Sequence, residues 1–345
     1  MSKKVKANLI SKKKVPFKIN ESLRSYLHNH GRESPAINYN DLRRYGNTIA
    51  LINANGEDTL WETVFYDGSE ADEIHQNLKQ VYSNLLAHGD LSIIEHLYID
   101  RIDICPFGNS EPFRVRIVND MNDNSDYFYV KKADASRIYG LELEHHLSPN
   151  RINYFVDRDT LIEQHIAGVP GDMFITSYMN DPNLNKVRIA KEFVKFNERC
   201  FVRLLGDMHA SNFVVDITPD FEEIHYSIRA IDFDQQSYEG SKKIYLPQFF
   251  KQNNAYVKLG IEVMTPESVY QYQLEERSMI KNRIKSCGDA LTNLLDAMAG
   301  DRISLDKHLQ QLRGELAEHH QNDRFLRCRS MGEIVKLNLQ LLWEE

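Results

Sequence analysis

Two stretches decide how this chain is read: LLGDMHASNFVVD (204–216) and IRAIDFDQQ (228–236). Asp207 and Asn212 lie five residues apart on a predicted loop between a long helix and a short strand. The strand starting near Ile228 pairs back antiparallel, with DITPDFEEIHYS (216–227) as the hairpin connection, and so returns Asp232 to the side of Asn212. Three oxygen-bearing side chains then converge. Mg²⁺ prefers that hard-donor arrangement, which leaves positions for phosphate oxygens and water. Taken singly, each acid reads as a helix cap or a solvated turn residue. The signal is the order: helix, Asp, Asn, strand, hairpin, strand, Asp-Phe-Asp.

Outward from this segment the two halves differ. Upstream, alternating apolar residues on both sides of Asn55-Gly56 predict antiparallel strands at 47–53 and 58–66, and a helix follows at 70–88 with Gly89 beyond its end. LYIDRIDICPF, FRVRIVND and YFYVKKA then read as strands, 134–147 as a helix, and INYFVDR and TLIEQHI as two further strands. Downstream, helical periodicity covers 184–203, 267–298, 304–319 and 330–343. The fold class is therefore α+β, a strand-rich half followed by a helical half.

Composition excludes several classes. With 345 residues, 42% hydrophobic and 27% charged, the chain has ordinary globular usage and room for two domains or lobes. A formal charge of -8 argues against general nucleic-acid binding. Lys3, Lys4, Lys6, Lys12, Lys13, Lys14 and Lys18 all precede the first acid, Glu21, and form a basic tail suited to a solvated role or to contact with an acidic surface. Cys105, Cys200, Cys287 and Cys328 are too widely spaced for a zinc knuckle and too few for a disulfide scaffold. No apolar stretch approaches the roughly 18 residues of a membrane span, and the lysine-rich start lacks the apolar core of a secretory signal, so a cytoplasmic protein is expected.

Gly206, Asp207, His209 and Asn212, followed by Asp232, Phe233 and Asp234, resemble the protein-kinase-like superfamily in its atypical or small-molecule, aminoglycoside-phosphotransferase-like branch. The resemblance covers about 95–300. It implies a bilobal kinase-like fold with a strand-rich N-lobe (95–168), a helical C-lobe (169–345), and an N-terminal extension (1–94) whose hairpin and helix pack on the N-lobe. It also implies ATP and Mg²⁺ or Mn²⁺ as cofactors, and transfer of the γ-phosphoryl group to a hydroxyl of a protein, lipid or small-molecule acceptor. Asp207 would accept the acceptor's proton, His209 would contact the phosphoryl group, and Asn212, Asp232 and Asp234 would serve the metal. AMP transfer and a kinase-like scaffold are the alternatives. A specialised bacterial kinase is a further expectation; as an effector it would act in a host cytosol.

The same resemblance asks for a phosphate-anchoring lysine on a strand and a carboxylate on the next helix. Lys132 shares a strand face with Phe128 and Val130 and is preferred; Lys131 points oppositely, and a one-residue slip or a bulge exchanges the two. Glu142 and Glu144 differ by two helix positions, so only one can serve, and Glu142 is preferred. In CPFGNSEPF (105–113), Gly108 and Ser110 are the candidate phosphate contacts, although the usual covering loop is richer in glycine. LIEQHIAGVPGD (161–172) resembles a strand entering a kinase hinge, where backbone at Glu163, Gln164, His165 and Ile166 would meet an adenine edge. Leu205 replaces the usual histidine, and no Ala-Pro-Glu segment follows Asp232.

Overall fold

A computed structural model describes residues 14–35, 37–86, 91–221 and 224–344. Lys3, Lys4, Lys6, Lys12 and Lys13 of the basic tail, and Gly89, lie outside them. The described chain forms two compact units: 14–19, 27–134 and 152–165 make the first, and 20–26, 135–151 and 166–344 the second. Helix α1 is Glu21–Asn29. Among the described residues no helix is long and apolar enough to cross a membrane.

The first unit is built on a seven-stranded antiparallel sheet. Its strands are β1 (Asn47–Ile52), β2 (Asp58–Phe65), β3 (Leu97–Ile104), β4 (Phe113–Asn119), β5 (Asn124–Lys132), β6 (Tyr154–Asp157) and β7 (Thr160–Gln164), in the order β1-β2-β3-β4-β5-β7-β6. The Asn55-Gly56 hairpin is part of this sheet, because β2 pairs with β3 through Thr63↔Asp103. Strand alternation sorts the side chains. Ile102, Ile104, Phe113, Val115, Phe128, Val130 and Ile162 face one side, where Ile74, Leu78, Val81 and Leu85 of α2 (Gly68–Leu86) join them in one apolar core.

The intervening residues face the other side, and in register they form a polar row across five strands: Thr63, Asp103, Arg114, Tyr129 and Glu163. Asp103 is fully buried there. It accepts from Thr63 Oγ1 at 2.8 Å and pairs with Arg101 Nε at 2.9 Å and Arg114 Nη2 at 2.8 Å. Arg114 also stacks over the Trp61 ring at 4.3 Å. Two guanidinium groups and a hydroxyl satisfy the carboxylate, as a buried charge requires.

In the second unit come α3 (Ala135–Leu147), β8 (Val169–Pro170), α4 (Gly171–Ser177), α5 (Lys186–Arg203), β9 (Phe213–Pro219) and β10 (Ile224–Ala230), then α6 (Asn254–Val263), α7 (Pro266–Cys287), α8 (Asp289–Ala299), α9 (Asp306–His320) and α10 (Met331–Leu341). The three strands form a small sheet in the order β10-β9-β8. The helix expected over 267–298 is two helices, because Gly288, at φ +55°, turns the chain between α7 and α8. Helix α6 was not foreseen. The architecture is α+β, strand-rich first and helix-rich after.

Helix α5 buries Ile189, Phe193, Phe196 and Cys200 at helical spacing, and from Phe196 to Arg203 it is buried on every side. Its last carbonyls are buried and need donors. The Asn338 amide of α10 donates to Val202 O at 2.9 Å and Phe201 O at 3.1 Å, and the Gln236 amide donates to Arg203 O at 2.6 Å and Leu204 O at 3.2 Å. Leu204 leaves the helix in the left-handed region, at φ +55°. Asn338→Leu keeps the branched shape but removes both donors, so that Val202 O loses its hydrogen bond while Phe201 O keeps the Leu204 N–H at 3.3 Å. We expect it to cost about 2 kcal/mol in urea unfolding, with an unchanged denaturant slope.

Candidate active site

From the end of α5 the chain is held by a succession of backbone bonds. Gly206 N–H donates to Gln235 O at 3.2 Å, and Asp207 N–H to Ile244 O at 3.1 Å. Asp207 itself lies at φ +62°, a conformation that costs about 1–2 kcal/mol for a residue other than glycine and that tends to persist at functional sites. The turn then closes on itself: His209 N–H donates to Asp207 O at 2.9 Å, and the Asn212 side-chain amide donates to the same oxygen at 2.8 Å.

The hairpin expected from the sequence is present. β9 and β10 pair from Phe213↔Ala230 onward, and Ile231 N–H donates to Asn212 O at 3.0 Å. Asp207, Asn212 and Asp232 are thereby carried on backbone segments hydrogen-bonded directly to one another. Asp234 N–H donates to Asp232 Oδ1 at 3.0 Å, which sets the Asp-Phe-Asp turn. Phe233 is buried.

Electrostatically the site is crowded with acid. Burial foremost, and then the charges of Asp232, Glu239 and Asp234, push the Asp207 carboxyl up to about 7. Burial lowers the His209 imidazole below its usual value, against the pull of Asp232 and Asp172. Ser211 Oγ donates to Asp172 Oδ2 at 2.9 Å, tying the loop to α4, and Asn253 Nδ2 donates to Met208 O at 2.9 Å. Among the described residues no group of three or more His, Cys, Asp or Glu side chains is arranged to hold a metal ion. The adjoining donors are Asn212 and Asp232. They are hard oxygens, as Mg²⁺ requires, and the surplus negative charge around Asp207 is of the sign a cation would neutralise.

Arg137, in the first turn of α3, was missed in the sequence. Its Nη1 lies 2.8 Å from Asp232 Oδ1 and 2.8 Å from Asp234 Oδ1. Asp234, expected with the metal donors, is the more buried of the two acids, at 10% exposure against 36% for Asp232. The only sign of this in the sequence is a cation in the opening turn of a helix with no acid there, against the helix dipole.

The first unit changes the reading of the lysines. Lys132 does share a face with Phe128 and Val130, but that is the face packed with α2; at the strand end Lys132 is 51% exposed, 3.2 Å from Glu111. Lys131 is the buried one, 10% exposed, with Nζ 2.6 Å from Glu163 Oε2 on β7. The helix carboxylates have partners within the second unit. Glu142 accepts from the Tyr26 hydroxyl and lies 3.3 Å from His146 Nε2, whereas Glu144 accepts from Ser148 Oγ and pairs with the buried Arg203.

Other expected contacts are also committed locally. The Gly108 amide closes its own turn on Cys105 O at 3.2 Å, so it does not point outward to a phosphate; Ser110 is half-buried in the same loop. Gln164 N–H donates to Asn153 O and His165 N–H to Tyr127 O, within the sheet region, so these two amides are spent before any adenine edge. Ile166 begins the next segment of the second unit.

No family model matches the chain. No curated protein matches it either. Among solved structures it is similar to the autoinhibited serine kinase domain of the giant muscle protein titin, with a TM-score of 0.30 and 16% identity over 58% of this chain and 78% of that one. It is also similar to titin kinase and its flanking domains, with a TM-score of 0.27 and 12% identity over 71% of this chain and 54% of that one. The resemblance is partial.

The raised Asp207 carboxyl makes a stability prediction. Between the ordinary carboxyl value of 3.8 and about 7, the folded chain holds a proton that the unfolded chain has released. That contribution is full below 3.8 and lost as pH rises through about 7. In metal-free buffer Asp207→Asn should therefore melt a few degrees above the parent at pH 8 and level with it near pH 4. A lower melting temperature for the variant at pH 8 would contradict the assignment.

Proposed function

We propose that this chain is an ATP-dependent phosphotransferase that moves the γ-phosphoryl group to an acceptor hydroxyl. The observation that carries the reading is the Asp207 turn, closed by the Asn212 amide and joined through Ile231 N–H to the segment that leads to Asp232, in which a carboxyl held up to about 7 stands among further acids. A group with that proton affinity suits general-base work near neutral pH. Asp207 takes the proton of the acceptor hydroxyl, whose oxygen attacks the γ-phosphorus while the bond to the β–γ bridging oxygen breaks and ADP leaves. Asn212 and Asp232 would hold a divalent cation, which supplies charge neutralisation on the phosphate oxygens.

For the phosphate anchor the reading favours Lys131. It is buried and fixed by Glu163, whereas Lys132 is exposed at the strand end. A lysine pinned by a carboxylate can hold a phosphate oxygen without first losing the freedom of its long side chain. Protein, lipid and small-molecule hydroxyls are all chemically suitable acceptors.

Calorimetric titration with ATP, with and without Mg²⁺, tests the reading. We expect metal-dependent binding in the parent, at least about tenfold weaker in Asp232→Ala. Lys131→Met should weaken ATP binding by a similar factor and Lys132→Met should leave it within about twofold. The mass of the modified acceptor then separates a phosphoryl from an adenylyl product. No nucleotide binding by a demonstrably folded parent would overturn the proposal in favour of a scaffold.

A further inference from the structure

Arg137 lies almost wholly inside the second unit, with its side chain 3% exposed, and one of its nitrogens reaches both acids of the Asp-Phe-Asp turn at 2.8 Å. A buried guanidinium is costly unless it is paired, and the position in the first turn of α3 adds dipole repulsion. Its retention there is explained by what it neutralises.

The helix that carries it cannot easily withdraw. Ser136 Oγ donates to Gln236 O at 2.7 Å, and Gly140 lies so close to Phe233 and Gln236 that a Cβ there would sit 3.0 Å from Phe233 Cβ. Helix α3 is thus docked on residues 233–236. Of the two acids, Asp234 is enclosed and Asp232 reaches solvent. Asp232 Oδ1, the oxygen facing Arg137, also accepts the Asp234 amide, so one oxygen is held twice.

We propose that Arg137 is a resident counter-cation that occupies the charge position of a divalent metal at Asp232, so that metal entry requires Asp232 to exchange the guanidinium for the ion while Asp234 keeps it. The inference rests on the reading of Asp232 as a metal donor. It goes beyond that reading by making the metal compete with a residue of the chain itself. Free cation then binds weakly, because it meets a carboxylate already neutralised and a positive charge next to it.

The test is Mn²⁺ titration at pH 8 followed by electron paramagnetic resonance, on the full chain, for the parent, Arg137→Met and Arg137→Lys, with melting curves in parallel. Arg137→Met should bind Mn²⁺ about tenfold more tightly than the parent, and Arg137→Lys, which keeps the charge, should stay within about threefold. Without metal, Arg137→Met should melt lower than the parent, since two acids lose their counter-charge, and saturating Mn²⁺ should restore it. If Arg137→Met is unfolded without metal, Mn²⁺ must recover a cooperative melt; failure to do so sinks the proposal. Equal or weaker Mn²⁺ binding by the variant when the parent binds would show that Arg137 merely positions Asp232, and the metal reading would stand. Absence of binding in both proteins would remove the metal site and the proposal together.

Discussion

The last turn of α5 is buried, and the need to satisfy its carbonyls governs everything that follows it in the second unit. A helix end cannot be closed by water there, so Asn338 and Gln236 donate to four consecutive carbonyl oxygens. Gln236 belongs to the segment just after Asp-Phe-Asp, and the same amide that caps the helix therefore ties that segment to the start of the Asp207 loop. The left-handed Leu204 and Asp207 are held by these bonds and by those to Gln235 and Ile244. The strained geometry of the loop is maintained by packing and capping rather than by its own preferences.

Charge is the second organising constraint. Asp232, Asp234 and Glu239 all act on Asp207, and burial of Asp207 adds to their effect. The chain answers with a proton on Asp207 and a guanidinium between Asp232 and Asp234.

Much of this was legible in the residues. Asn55-Gly56 located a hairpin because few other pairs adopt its turn, and the Asp207–Asn212 spacing with a returning strand located the bonded set because antiparallel pairing is a short-range rule. Gly288 was passed over as one glycine in a long periodic run, although its positive φ divides that run into two helices. Alternation correctly separates the two lysines, but it does not say what covers each face: the apolar face of Lys132 belongs to α2, and the lysine buried against Glu163 is Lys131. The pairing of Arg137 with Asp232 and Asp234, and of Glu163 with Lys131, was hidden because the partners are far away in sequence or across a strand pairing that no local pattern specifies.

The polar row of the seven-stranded sheet also says how that sheet can assemble. Strand slippage by one residue turns every side chain to the other face, which would drive Asp103, Arg114 and Glu163 into the hydrocarbon against α2 and send Phe113, Val115 and Val130 outward. A sheet with a plain polar face forgives such a slip at its edges. Here the Asp103–Arg114 and Lys131–Glu163 pairs cross between strands and form in one alignment, so a slipped register loses them. Arg101 shares a strand with Asp103 and pairs with it in any alignment, so it is Arg114, across the ladder, that ties the buried acid to a single register.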